Sequence, residues 1–104
     1  MLSPNVEDNL RFLVREVQKQ LERAQTYIRG PSGELRKSMR GRDNYIDNLR
    51  TFIQRACFRE AIDATEIEQL KAIDVVAVNL ERIADFCEDV VGQIDYITQR
   101  DLLN

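Results

Sequence analysis

Histidine is absent from this 104-residue chain, and so is tryptophan. Without histidine the commonest general base and the commonest nitrogen ligand for metals are gone, so any site must be built from carboxylates. Cysteine occurs only as Cys57 and Cys87, in apolar helical contexts and without metal-ligand spacing. Both read as buried free thiols of a reducing cytoplasm. No apolar run approaches the roughly 18 residues that a membrane-spanning helix needs. The opening Met1-Leu2-Ser3-Pro4 has neither the basic nor the apolar region of a secretory signal. There is no glycine-rich phosphate loop, no Cys-x-x-Cys and no nucleophile paired with a base. Catalysis is therefore not expected, and a hydrolase with carboxylate-only metal ligands is the weakest reading, because no general base stands beside the ligands.

What is present points to a small helical domain. Hydrophobic residues make up 43% and charged residues 32%, a globular balance. The net charge of −3 hides an asymmetry: residues 65–104 carry nine acids against three bases, while residues 1–64 carry nine against twelve. The acidic C-terminal part argues against nucleic-acid binding there.

Three amphipathic series follow one another. Val6, Leu10, Leu13, Val17, Leu21, Ala24 and Ile28 step by three and four residues, the period of a helix with one buried stripe. Ser3 suits the N-cap, Pro4 suits the first helical position, and Gly30-Pro31 stops the helix. Phe12 lies off that stripe and marks a possible interface. Tyr45, Ile46, Leu49, Phe52, Ile53, Ala56 and Cys57 form the second series. Leu35 and Met39 extend it back to about Ser32, through a stretch weakened by Gly33 and Gly41. After a break at 60-EAIDAT-65, Thr65 and Glu68 fit a capping box. The third helix is expected from Glu66 to about Leu102, with the heptad seam Ile73, Val76, Leu80, Ile83, Cys87, Val90, Ile94 and Ile97. Beside it runs a stripe of smaller residues, Ala77, Ala84 and Val91, suited to close approach by another helix. No segment alternates with period two over strand length, and no internal repeat is visible. The expected fold is all-α, an antiparallel three-helix bundle forming one domain over residues 1–104.

Carboxylates stand out on two of these helices. At about 100° per residue, Asp74, Glu81, Asp85 and Glu88 fall on one narrow stripe flanking the third helix, with Asp89 further round in solvent. On the second helix Asp43 and Asp47 flank the apolar arc in the same angular sense. Because the two helices run antiparallel, the pairs 43-DNYID-47 and 81-ERIAD-85 are expected on the same groove. Four carboxylates there repel one another unless a cation lies between them, and oxygen ligands suit hard metals or iron. Solvated charge partly neutralised by Arg50 and Arg82 is the other reading. The lack of histidine argues against a ferritin-type di-iron centre, whose Glu-x-x-His motifs are missing. The basic stretch Arg36, Lys37, Arg40 and Arg42 reads as a solvated connector or helix start, or as a contact for phosphate or an anionic membrane.

At these residues the sequence resembles the PhoU family, whose three-helix repeats carry an acid-x-x-x-Asp motif within a run like LERIGD. Here 80-LERIAD-85 matches that run and continues in register as 86-FCEDVVGQ-93, and 43-DNYIDNL-49 matches the second-helix motif. Ala84 stands where the family commonly has glycine. The resemblance implies a multinuclear site for iron, zinc or another divalent metal such as manganese at Asp43, Asp47, Glu81 and Asp85. It also implies a cytoplasmic regulator or adaptor of phosphate homeostasis that contacts a phosphate transporter and a sensor histidine kinase, touching the membrane only through them. PhoU proteins carry two repeats and this chain supplies one, so either two copies pair as a homodimer or the chain is a domain of a longer protein. Arg100–Asn104, which lack a C-cap signal, suit the second possibility. The alternative function is a structural or oligomerisation bundle without metal, such as an accessory domain of a sodium–phosphate cotransporter.

Overall fold

The computed structural model describes residues 4–60 and 67–99. Helix α1 spans Pro4–Arg29, α2 spans Gly33–Glu60 and α3 spans Ile67–Gln99. The bundle is all-α and up-down-up: each helix packs against both others, and no strand occurs among the described residues. The elements end where local chemistry ends them. In α1 the last backbone bond runs from Gly30 N–H to Thr26 C=O at 3.0 Å, and Pro31 then has no N–H to continue. The hydroxyl of Ser32 caps α2, accepting from Leu35 N–H at 3.2 Å. Gly33 and Gly41 do not break α2, which is helical throughout. Gly41, inside the helix, costs about 1 kcal/mol of helix propensity, which tertiary packing of Met39, Ile46 and Ile53 offsets, and Gly33 stands at the first helical position, outside the interior. Ser3, Thr65, Glu66 and residues 100–104 lie outside the described residues, and with them the expected first N-cap, capping box and C-terminal features of α3.

The core is a thin rod in two parts. The larger cluster joins Val6, Leu13 and Val17 of α1 to Ile46, Leu49, Ile53, Ala56 and Cys57 of α2 and Leu70, Ile73, Ala77 and Ala84 of α3. The smaller gathers Ala24 and Tyr27, Met39, Cys87 and Val91 at the other end. Between them α1 contributes two buried polar residues, Glu16 and Gln20. The Gln20 amide donates to Met39 C=O at 2.8 Å, and the carboxylate of Glu16 accepts from the Arg42 guanidinium, with Nε 3.0 Å away. That contact holds the Glu16 carboxyl below the usual glutamate range, against the opposing effect of burial. Both cysteines are buried and free, as expected.

One row of the heptad seam expected for α3, Ile73, Leu80, Cys87 and Ile94, packs inward, and the other row does not. Val76, Ile83 and Val90 are 46%, 40% and 46% exposed, whereas Ala77, Ala84 and Val91 are fully buried. The inward series is Leu70, Ile73, Ala77, Leu80, Ala84, Cys87, Val91 and Ile94, with Leu80 and Ile94 only partly buried. Three helices meeting at a narrow axis leave room for alanine where the sequence also offers valine or isoleucine one step away. The small-residue stripe is thus consumed inside the bundle and cannot be a surface for another copy. Leu21 and Ile28 of α1, and Tyr45 and Phe52 of α2, are likewise exposed rather than part of the core.

Candidate functional site

In a three-helix bundle each helix has a neighbour on either flank of its buried stripe. On α3 the flank that faces α2 is fixed by two ion pairs: Arg50 Nε with Glu81 Oε2 at 3.2 Å, and Arg36 with Glu88 Oε2 at 2.7 Å. The α2–α3 groove is therefore where the sequence stripe of acids lies. Asp43 and Glu81 are half-buried at its walls, and Asp47 and Asp85 stand exposed along it.

The carboxylates of the two helices lie near enough for their charges to act on one another. Partial burial pushes the Asp43 carboxyl up, and the charges of Asp85, Glu88 and Asp47 push it further. Glu81 is raised first by burial, an effect that Arg50 opposes and the charges of Asp47 and Asp85 reinforce. Asp85 is raised by burial, then by Asp47, Asp89 and Glu88. Each helix supplies two acids one turn apart, and the antiparallel crossing brings the pairs together.

The cations in this groove sit at its ends. Arg50 binds Glu81 at one end. At the other, Arg36 binds Glu88 and also approaches Asp95 Oδ2 at 3.3 Å, where the Tyr27 hydroxyl donates to the same carboxylate. Arg42, which might have served the centre, is turned to the opposite face, bound to Glu16 and stacked 4.5 Å over the Tyr45 ring. Among the described residues, Asp43, Asp47 and Asp85 have no lysine or arginine within ion-pair distance. Arg82, expected as a neutralising partner, makes no such contact either, and Arg50 does. Asp74 is half-buried further along α3, away from this constellation.

The donor chemistry fits a hard cation, because hydrogen-bonding neighbours are few and every donor is a carboxylate oxygen. The side chains are not gathered into a finished cage: among the described residues no three acids or thiols are close enough to hold an ion as they stand. An ion bound here would need the short aspartate side chains of two helices to converge further than they do.

Sequence reasoning missed Glu16, Gln20, Tyr27 and Arg36 as organisers of this level of the bundle. No apolar pattern marks the first two, since at about 100° per residue Gln20 and Glu16 fall just past the edge of the apolar arc of α1, where a polar side chain reads as solvated. Two of the four cations in the basic stretch, Arg36 and Arg42, are committed to internal ion pairs.

No curated protein and no solved structure matches the chain. The family model of the PhoU domain does, over residues 10–94, a span that runs from α1 to late α3 and includes both acid pairs. The chain belongs to the PhoU domain family, a family of helical regulatory domains of phosphate homeostasis.

Proposed function

We propose that this domain is a cytoplasmic, non-catalytic regulator or adaptor of phosphate homeostasis that binds metal ions through Asp43, Asp47, Glu81 and Asp85. Its partners in this reading are a phosphate transporter and a sensor histidine kinase, and the chain self-associates so that two single repeats act together. The observation that carries the reading is the trio Asp43, Asp47 and Asp85: mutually repelling, uncompensated by arginine, and lying within the span that the PhoU domain matches. When bound, the metal would supply positive charge that relieves this repulsion and cross-links α2 to α3, and the residues of this chain would do the rest. Arg50 and Arg36 hold the outer acids Glu81 and Glu88 in place at the groove ends. The rigid helices then present the filled groove as a docking surface whose charge depends on occupancy.

The test is regulatory. The chain is expressed in host cells that lack their own PhoU proteins and carry a phosphate-starvation reporter. Damped reporter output under phosphate-replete growth is expected from the parent, with loss of damping when Asp43 and Asp85 are both changed to asparagine. Equal reporter output with and without the chain would overturn the regulatory reading.

A further inference from the structure

The polar residues that α1 buries do not line the acid groove, yet they meet α2 at the turn that carries Asp43. Gln20 is fully buried and its amide is engaged at both atoms. Its Nε2 donates to Met39 C=O at 2.8 Å, and its Oε1 accepts from Arg23 at 2.9 Å. One turn earlier on α1, Glu16 takes the Arg42 guanidinium with both oxygens, Nε at 3.0 Å and Nη2 at 2.5 Å. Arg23 also approaches Glu16 Oε2 at 3.9 Å, which joins the two contacts into one network.

This network grips α2 on either side of Gly41. In a helix the carbonyl of residue 39 accepts from the amide of residue 43, so the oxygen that Gln20 holds is the one that seats the Asp43 backbone. Arg42 and Asp43 are neighbours about 100° apart around α2. The first is directed at α1, and the second feels the charges of Asp85 and Glu88 on α3. A rotation of α2 that moves Asp43 therefore pulls on the Glu16–Arg42 fork. Turning by about 20° would carry a carboxylate about 6 Å from the helix axis through about 2 Å. That is about ten times the tolerance of a metal–ligand distance. Gly41, between the two grips, is where α2 has the least intrinsic helical preference. Packing does not demand a glycine, since nothing lies within 4 Å of the position its Cβ would take.

We propose that Glu16 and Gln20 are positioning residues for the metal-binding acids. With Arg23 and Arg42 they form a clamp across Gly41 that fixes the rotation of α2, and so the place of Asp43 and Asp47 in the α2–α3 groove. The inference rests on the metal-binding reading given above and extends it to residues that touch no ion. Convergence of the carboxylates on an ion is then a matter of side-chain torsions on a fixed helix.

Anaerobic calorimetric titration of the intact chain with Fe2+, Zn2+ and Mn2+ tests this in the parent, Gln20→Leu, Glu16→Gln and the double variant Gln20→Leu/Gly41→Ala. Gln20→Leu keeps a side chain of similar size in an apolar surrounding, and circular dichroism with a urea melt checks that each variant is folded. Gln20→Leu and Glu16→Gln should each weaken the metal dissociation constant about tenfold, the scale on which supporting residues act at metal sites. Gly41→Ala stiffens the turn without a clash and should restore the affinity of Gln20→Leu. Amide exchange in the metal-free protein is the second readout. The Asp43 amide should exchange faster in Gln20→Leu and slow again in the double variant. Variants that bind metal as tightly as the parent would overturn the clamp and leave the metal reading standing. Weakened binding that Gly41→Ala does not restore would mark a general structural loss and overturn the clamp as well. A parent that binds none of the three ions would overturn both.

Discussion

Asp85 illustrates how a single side chain can be costly in one state and useful in another. It lies at the junction of the acid pairs, with burial and the charges of Asp47, Asp89 and Glu88 all disfavouring its ionised form. A carboxyl raised in the folded state opposes folding above that raised value, and the penalty fades as pH falls and the group takes up its proton. Asp85→Asn should therefore leave the metal-free protein at least as stable as the parent at neutral pH, with the difference shrinking toward pH 4. Bound metal reverses the sign. At a hundredfold excess over its dissociation constant, an ion stabilises the parent by about 2.7 kcal/mol, and the asparagine variant should lose most of that. Thermal melts of both proteins with and without iron, zinc or manganese measure the effect, and a parent melting temperature indifferent to all three would sink metal binding here. The acids were legible in the sequence because charge on a helix flank can be placed by angle alone. Glu16 and Gln20 were not, because an inward polar residue depends on a partner, Arg42 or Met39 C=O, that the sequence of α1 does not contain.

At the level of the element, helix number, order and ends were readable, since Pro4, Gly30-Pro31 and Ser32 act through local backbone chemistry. The rotation of α3 was not. Ile73, Leu80, Cys87 and Ile94 are common to two seams, completed either by Val76, Ile83 and Val90 or by Ala77, Ala84 and Val91, and hydrophobicity favours the larger set. Geometry at a three-helix axis favours the smaller, so Ala77 and Ala84 turn inward and Val76 and Ile83 turn out. Ala84→Leu discriminates between the two. With Ala84 fully buried, the added carbons must displace close-packed neighbours, at about 1–3 kcal/mol. On the seam read from sequence the same change would sit at the edge of the core and cost little. A urea melt of Ala84→Leu indistinguishable from the parent would show that α3 is rotated from the orientation described.

The whole molecule is a rod of 59 × 19 × 15 Å with a core one or two side chains across, and its three grooves differ in chemistry. The α2–α3 groove is acidic, the α1–α2 side carries the Glu16–Arg42 pair with Tyr45 stacked on Arg42, and the α1–α3 side carries the exposed aliphatic residues Leu21, Val76, Ile83 and Val90. A rod exposes more surface for its volume than a sphere, so a chain this small gains little margin from its own core. The self-association proposed above should then contribute measurably to folding stability, and that contribution must scale with concentration, because pairing favours the folded state by mass action. In the paired regime each tenfold rise in concentration adds about 0.7 kcal/mol per chain, half of the usual 1.4 for a tenfold change in equilibrium. For a domain of about 100 residues that is roughly 3–5 °C in melting temperature. Calorimetric scans from a few to several hundred micromolar should show that slope. A flat line would mean that pairing contributes nothing, and that the single bundle folds on its own core.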